Sequence, residues 1–257
     1  MRTGAAFAVL VMMAASAQTS LVWSAPSYIE KAVADTNRPA TDVSRDAGRK
    51  PAELLAFAGV RPGMVVVDML PGLGATGGYF TRLFATAVGP KGRVYAYFGT
   101  QYDARLKSQN QDPDNQFAAL KRIYPNLGVI HGPLEGFVTP QKVDMVWTSD
   151  NYHDMHNKAY AMDPAKVNRA VFASLKPGGT YIVVDHRAAK GAGAAVTETL
   201  HRMDEDIAKQ EIQAAGFRLV AEVKILANPS DDNNKRVFEQ GEHDHTDQFV
   251  LKFVKPR

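Results

Sequence analysis

The chain has 257 residues, of which 45% are hydrophobic and 22% are charged. This balance excludes global disorder and suffices for one domain with a sizeable core. The formal net charge is only +3, with no dense run of lysine or arginine, so we expect no nucleic-acid partner. The sequence contains no cysteine, which excludes disulfide bonds, thiolate metal sites and cysteine nucleophiles.

Residues 1–17 have the pattern of a secretory signal peptide. Arg2 supplies the positive charge, residues 5–15 are apolar, and Ala-Ser-Ala at 15–17 fits a cleavage site. We therefore expect cleavage, export and a periplasmic location, with residues 18–43 as a leader lying on the domain. The alternative is a membrane anchor that stays attached. The apolar run is short for a spanning helix, so we expect no membrane insertion after cleavage.

Short apolar runs recur within residues 44–257 at roughly 30-residue intervals, the length of one strand–helix unit. Their continuous apolar character is typical of strands buried on both faces. The predicted strands are 64–69, 93–98, 127–131, 143–148 and 180–185, and the predicted helices are 45–59, 78–88, 117–124 and 166–175. This alternation predicts one domain, residues 44–257, with a parallel sheet covered by helices on both faces.

The last third of the chain has a different pattern. A helical region at 194–215 is followed by two strands, 217–226 and 248–254, with no helix between them. Successive strands of this kind predict an antiparallel pair at the sheet edge. The expected fold class is therefore α/β, with a mostly parallel seven-stranded sheet and an antiparallel C-terminal hairpin.

A glycine-rich turn follows the first predicted strand and leads into a helix near Tyr79. It contains the strand-terminal carboxylate, a proline and four glycines: Asp68, Pro71, Gly72, Gly74, Gly77 and Gly78. Glycines allow close approach of the backbone to a ligand, and the helix N-terminus offers N–H donors. Asp68 would repel a phosphate but could pair with an ammonium group, which favours a zwitterionic ligand with a nucleoside half. Alternatively, the glycines only make a tight strand–helix connection.

Polar residues also follow the later strands. Ligands of open α/β sheets bind at the carboxyl ends of the strands, so His131, Asp150 and Asp185 mark the same edge. His153 is the candidate general base or acid, because the pKa of a histidine lies near neutrality. Asp154 or Asp185 could orient it. Alternatively, His153 and Asp154 cap the next helix.

Two further groups of polar residues favour a structural role. For His186 and Arg187 we expect an aspartate–arginine pair that fixes a loop, although Arg187 could instead meet a substrate carboxylate. The Glu-His-Asp-His-Thr-Asp sequence at 242–247 has metal-ligand character, but it lacks a third ligand at a suitable spacing and is interpreted as a solvated turn. His201 fits no pattern, so no metal site is expected.

Several short sequences resemble those of class I S-adenosylmethionine-dependent methyltransferases. Leu-Lys-Pro-Gly-Gly-Thr at 175–180 and Ala-Ala-Gly-Phe at 214–217 resemble the segments before their fifth and sixth strands. More narrowly, the chain resembles a group of exported bacterial predicted methyltransferases. The residues that carry this likeness are Gly-Tyr-Phe-Thr at 78–81, Tyr-His-Asp at 152–154 and Asp-His-Arg at 185–187.

The resemblance implies a Rossmann-like fold and methyl transfer from S-adenosylmethionine to a small-molecule acceptor. The residues expected to hold the cofactor are Asp68, Pro71, Gly72, Gly74, Gly77, Gly78, Tyr79 and Asp150. Tyr152, His153 and Asp154 would border the acceptor site and supply the catalytic groups.

Two departures from the family pattern leave other functions open. The turn is lengthened by residues 73–76, and residues 97–100 lack the acid that holds the ribose hydroxyls in the family. Gln101 or Asp103 could substitute for that acid. One alternative is an exported binding protein that keeps the fold for another ligand. A second is a hydrolase that uses the histidine and aspartate groups, with or without a metal.

Overall fold

The computed structural model describes residues 25–240 and 243–257. The predicted signal peptide and the first part of the predicted leader lie outside the described residues. The described part opens with four short helices, α1 (Ser27–Val33), α2 (Ala40–Val43), α3 (Asp46–Arg49) and α4 (Pro51–Ala58). The single helix predicted over 45–59 is interrupted at Lys50, whose φ of 45° is left-handed, because a residue before proline disfavours the helical conformation.

Seven strands form one sheet. They are β1 (Val65–Met69), β2 (Arg93–Gly99), β3 (Leu127–Gly132), β4 (Val143–Ser149), β5 (Leu175–His186), β6 (Arg218–Val223) and β7 (Gln248–Val254). Their order is β3-β2-β1-β4-β5-β7-β6. The first five strands are parallel, and β7 runs antiparallel between β5 and β6. The predicted mostly parallel seven-stranded sheet with an antiparallel C-terminal hairpin is confirmed.

Six further helices connect the strands. They are α5 (Tyr79–Val88), α6 (Asp103–Ser108), α7 (Pro113–Ile123), α8 (Pro164–Ser174), α9 (Thr197–Leu200) and α10 (Glu205–Ala214). The helical region predicted over 194–215 is therefore two helices. The chain turns between them at His201, whose φ is 55°, and Asp204 caps α10 by accepting the N–H of Asp206.

Apolar side chains fill both faces of the sheet. Leu54 and Trp147 belong to the cluster on one face, and Tyr181 and Phe253 to the cluster on the other. Ile29 of α1 is fully buried in the first cluster, so α1 packs as part of the domain. Removal of this apolar surface from water is the main favourable term in folding.

The direction of strand addition reverses at β1, which pairs with β2 on one side and β4 on the other. The loops after β1 and β4 therefore diverge and leave a crevice at the carboxyl ends of the strands. No helix within 25–240 and 243–257 combines the length and the apolar character needed to cross a bilayer.

Candidate functional site

A cavity of about 680 Å³ opens at this crevice. Its wall is formed by α3, the turn after β1, the end of β2, α6 and the loop after β4. The volume lies within the range of roughly 300–1,000 Å³ found for small-molecule sites. The fold thus places a ligand-sized space where the sequence predicted the cofactor.

The structure divides the predicted site residues into two groups. Those that line the cavity are Asp68, Pro71, Gly72, Tyr79, Asp150 and Asp154. Those outside the lining are Gly74, Gly77, Gly78, Tyr152 and His153. The second group acts on the site only through the position of the backbone or of another side chain.

The lengthened turn after β1 is held in place by Gln116 of α7. Its side-chain oxygen accepts the N–H of Gly74 at 2.8 Å, and its amide nitrogen donates to the Gly74 carbonyl at 3.0 Å. A Cβ at Gly77 would lie 2.5 Å from the Cα of Leu73, so no other residue fits there without movement of the backbone. The added residues 73–76 therefore fold into a fixed excursion.

Asp68 is the last residue but one of β1, lines the cavity and is only 3% exposed. Its Oδ2 accepts the Thr81 hydroxyl at 2.5 Å. Burial raises the pKa of Asp68 to about 7, although hydrogen bonds from Thr81 and the charge of Arg49 oppose the rise. A cation bound beside this carboxyl group would favour its ionised form.

Arg49 links the N-terminal helices to the loop after β4. Its Nη2 donates to Asp150, and its Nε donates to Asp244 at 2.7 Å. Arg45 donates to the same Asp244 carboxylate at 2.5 and 2.8 Å. Arg45, Arg49 and Asp150 all line the cavity, so guanidinium and carboxylate groups share one wall.

This wall includes a residue whose role the sequence did not indicate. Asp244 lies in the segment 242–247 that was interpreted as a solvated turn. Its side chain is only 14% exposed and pairs with two arginines, which corrects that interpretation for this residue. Arg45 and Arg49 precede Asp244 by 199 and 195 residues, and no local pattern reveals such a contact.

Tyr79 begins α5 beside the same wall. Its hydroxyl donates to Oδ1 of Asp46 at 2.6 Å, and the Arg49 guanidinium lies 5.0 Å from the centre of its ring. Burial is the main cause that raises the pKa of Tyr79 far above its usual range. Tyr79 is thus a neutral hydroxyl donor whose ring supports the arginine by a cation–π contact.

His153 lies behind Asp154 and is only 3% exposed. Its Nδ1 is 2.8 Å from Oδ1 of Asp185, and its backbone N–H donates to Oδ2 at 2.7 Å. Its Nε2 lies 3.4 Å from Oδ1 of Asp154. Burial disfavours the charged imidazole, but the carboxylates of Asp185 and Asp154 outweigh it and raise the pKa of His153 to about 9. The action of His153 as a general base stays a prediction.

Tyr152 faces the interior of the domain. It is fully buried, and its hydroxyl donates to Glu211 of α10 at 2.9 Å and accepts from Asn168 of α8 at 2.8 Å. These contacts tie the loop after β4 to two helices. The side chain therefore helps to fix the loop that carries Asp154 and does not line the cavity.

The end of β2 offers an aromatic ring where the family pattern has an acid. Phe98 lines the cavity. The oxygen of Gln101 accepts the backbone N–H of Leu134 at 3.1 Å, and Asp103 lines a separate groove. Neither predicted substitute reaches the cavity, whereas Gln109 and Gln111 do.

His186 and Arg187 make contacts within the protein. Arg187 pairs with Glu205 and with Asp247, the latter at 3.0 Å. Nδ1 of His186 lies 2.5 Å from the Thr246 hydroxyl. These contacts connect the end of β5 to the segment before β7, as expected for an aspartate–arginine pair that fixes a loop.

No family model and no curated protein sequence matches the chain. Solved structures do. A SAM-dependent methyltransferase from Aquifex aeolicus superposes with a TM-score of 0.54 at 19% identity, over 91% of this chain and 100% of that one. The 1,6-didemethyltoxoflavin-N1-methyltransferase of Burkholderia thailandensis, with bound 1,6-didemethyltoxoflavin and S-adenosylhomocysteine, gives a TM-score of 0.52 at 18% identity, over 90% and 85% of the two chains.

A third similar structure has a different activity. The [4+2]-cyclase SpnF superposes with a TM-score of 0.54 at 15% identity, over 84% of this chain and 81% of that one. At these identities the likeness establishes the class I methyltransferase fold. The fold alone does not determine the activity, which depends on the residues of the site.

Proposed function

We propose that the protein transfers a methyl group from S-adenosylmethionine to a small-molecule acceptor. The observation that carries this proposal is the mixed charge of the cavity wall, where Asp68 and Asp150 lie near Arg45 and Arg49. The amino-acid end of S-adenosylmethionine carries one ammonium and one carboxylate group. Carboxylates and guanidinium groups on one wall are complementary to both charges.

Five of the predicted cofactor residues would contact the cofactor directly. They are Asp68, Pro71, Gly72, Tyr79 and Asp150, all on the cavity wall. The remaining three, Gly74, Gly77 and Gly78, would shape the turn that presents Pro71 and Gly72. The similar structures from Aquifex aeolicus and Burkholderia thailandensis are SAM-dependent or bind S-adenosylhomocysteine, which supports the same ligand here.

The nucleoside half would lie towards the end of β2 and α6. Phe98 offers an aromatic ring, and Gln109 and Gln111 line the same cavity. An amide oxygen can accept a hydrogen bond from a ribose hydroxyl. A neutral amide forms a weaker bond than a carboxylate, so we expect weaker cofactor binding than an acid would give.

The acceptor would bind near Asp154, the predicted catalytic residue that reaches the cavity. His153 and Tyr152 lie behind it and act as positioning residues. Methyl transfer depends mainly on holding the nucleophile in line with the methyl group. A carboxylate at this place can orient a hydroxyl or amine nucleophile by accepting its hydrogen bond.

We also propose that residues 1–17 direct export and are removed, so that residues 18–257 act in the periplasm. The charged start, the apolar stretch and the small residues at 15–17 support this. N-terminal sequencing of the protein recovered from the periplasm tests it. A first residue of Gln18 is the expected result, and an intact Met1 would refute cleavage.

Calorimetric titration of the purified chain with S-adenosylmethionine and S-adenosylhomocysteine tests the methyltransferase proposal. We expect one site per chain, with binding weakened about tenfold or more by Asp68→Asn. Asp103→Asn, an exposed aspartate in a separate groove, is the matched control and should bind as wild type does. Absence of binding at millimolar concentrations of either compound would exclude the proposal.

The second candidate function is ligand binding, or another reaction, on the same fold. The absence of an acid at Phe98 supports it, and the [4+2]-cyclase among the similar structures shows that the fold carries other chemistry. The same titration separates the two candidates. Tight binding of S-adenosylmethionine favours methyl transfer, and a lack of binding leaves the second candidate.

A further inference from the structure

Three potential metal ligands meet beside the acceptor end of the cavity. His153 and Asp154 lie in the loop after β4, and His201 lies in the turn between α9 and α10. One ligand atom from each residue falls within 4.8 Å of the others. His153 and Asp154 are buried, and His201 is partly buried. The folded chain thus gathers two imidazoles and one carboxylate from distant parts of the sequence.

The spacing of the first two ligands suits a metal. Nε2 of His153 and Oδ1 of Asp154 are 3.4 Å apart. Two ligands at about 2.1 Å from a tetrahedral metal lie about 3.4 Å from each other. The ring of His201 stands nearly perpendicular to that of His153, at 82° and 5.5 Å between centroids, and one of its nitrogens lies within 4.8 Å of the ligand atoms of both other residues.

The hydrogen bonds around the cluster orient its ligands. Nδ1 of His153 lies 2.8 Å from Oδ1 of Asp185, which holds a proton on Nδ1, so that a metal displacing the Nε2 proton would meet a lone pair directed towards Asp154. Metal-binding histidines commonly have such a carboxylate partner. Asp154 is itself fixed, because its Oδ1 accepts from Asn157 at 2.7 Å and its Oδ2 from Tyr102 at 3.3 Å.

The charges of the cluster and its access to the cavity also favour a bound divalent cation. The carboxylates of Asp154 and Asp185 together carry the charge that one divalent cation would balance. Asp154 also lines the main cavity, so a metal held beside it would keep a coordination position for a water or an acceptor. Three protein ligands and one open position are typical of catalytic zinc sites.

We propose that His153, Asp154 and His201 bind one divalent late first-row metal ion, such as Zn²⁺, at the acceptor end of the cavity. The nitrogen and oxygen donors fit this class of ion better than Mg²⁺ or Ca²⁺, which prefer oxygen ligands. The site goes beyond the proposed function and does not depend on it. The rival explanation is that His153 is simply an imidazolium held between two carboxylates.

Titration of the chelator-treated full chain with Co²⁺, followed by competition with Zn²⁺, tests the proposal without any other ligand. We expect one Co²⁺ per chain, the visible absorption bands of a four- or five-coordinate ion, and displacement by Zn²⁺. His201→Asn should weaken binding by about 100-fold or more, since it removes a direct ligand, and loss of a mere hydrogen-bond partner of a ligand already costs about 10–100-fold. Asparagine tolerates the left-handed backbone at this position.

His131→Gln is the matched control, because this histidine lies on β3 in a separate groove, and it should bind Co²⁺ as wild type does. If His201→Asn is poorly folded by circular dichroism, His201→Gly replaces it, since glycine also adopts a positive φ. Absence of a bound ion in the wild-type chain, or equal affinity in the His201 variant and wild type, would overturn the proposal and leave the imidazolium.

Discussion

The guanidinium of Arg49 donates through Nη2 to the carboxylate of Asp150 and so joins α3 to the loop after β4. Both side chains are largely buried, at 11% and 8% exposed. Gln248 donates a second hydrogen bond to Asp150 at 3.1 Å. The contact makes the N-terminal helices one wall of the cavity and gives that wall a defined position.

Replacement of Arg49 should therefore destabilise the protein. Arg49→Gln leaves Asp150 buried without its cation, and loss of one partner of a buried pair costs about 3–5 kcal/mol. We expect the lower end of this range, because Gln248 still donates to Asp150 and Arg45 still donates to Asp244. Urea unfolding measures the change. Arg169→Gln, on the exposed face of α8, should change stability by less than about 0.5 kcal/mol, and equal effects would contradict the structural role of the pair.

Most of the sheet could be predicted from the sequence, because its strands are continuous apolar runs with clear limits. β7 has the predicted bounds, 248–254, and β1 starts within one residue of its prediction. β5 begins at Leu175 rather than 180 because Gly178, which resembles a turn residue, donates its N–H to Lys255 beside the strand at 2.8 Å. Local pattern finds buried strands, but it misses pairing that extends through glycines.

The site was less predictable. The glycine-rich turn was found because its residue types are needed locally, at the junction of a strand and a helix. The pairing of Arg49 with Asp244, and the approach of His201 to His153, arise only when distant segments fold together. The position of His201 could not be predicted for a second reason. It adopts a left-handed conformation that ends the four-residue helix α9, and the sequence predicted one continuous helical region there.

The pH dependence of stability should report on Asp68. Its pKa is about 7 in the folded protein, against 3.8 ordinarily, so between these values the folded state binds more protons than the unfolded state. Its contribution is then fully present below about pH 4 and is lost as pH rises through about 7. The difference between the two pKa values corresponds to a change of about 4 kcal/mol in the free energy of unfolding.

Asp68→Asn removes this group while keeping an oxygen that can accept from Thr81. The stability of this variant relative to wild type should therefore increase steadily from pH 4 to pH 8, as measured by urea unfolding at each pH. The difference between Asp103→Asn and wild type should stay within about 0.5 kcal/mol over the same range, as for an ordinary surface change. A pH-independent difference for Asp68→Asn would show that its carboxyl group is not perturbed.

Gln116 should control the excursion of the glycine-rich turn. Gln116→Ala removes both hydrogen bonds to Gly74, each worth about 0.5–1.5 kcal/mol. Because the excursion is exposed, we expect a small loss of global stability and much faster amide exchange at Gly74, measured by hydrogen exchange. Gln213→Ala, at an exposed position of α10, is the control. Unchanged exchange at Gly74 would mean that other contacts fix the turn.

Asp185 should be the most sensitive carboxylate in this part of the protein. It is fully buried and accepts two hydrogen bonds from His153, at 2.7 and 2.8 Å, and one from the backbone N–H of His186 at 2.8 Å. Asp185→Asn places an amide N–H against one of these donors and leaves a charged imidazole without its partner. Such a loss costs about 3–5 kcal/mol.

Thermal and urea unfolding of Asp185→Asn would measure this cost. Asp163→Asn serves as the comparison. Asparagine can keep the cap of α8 that Asp163 provides, so this variant should have nearly the stability of wild type. Asp185→Glu, which keeps the charge but displaces the oxygens, should be intermediate. If Asp185→Asn were as stable as wild type, the histidine would be neutral in the folded protein, and its orientation would have to come from Asp154 instead.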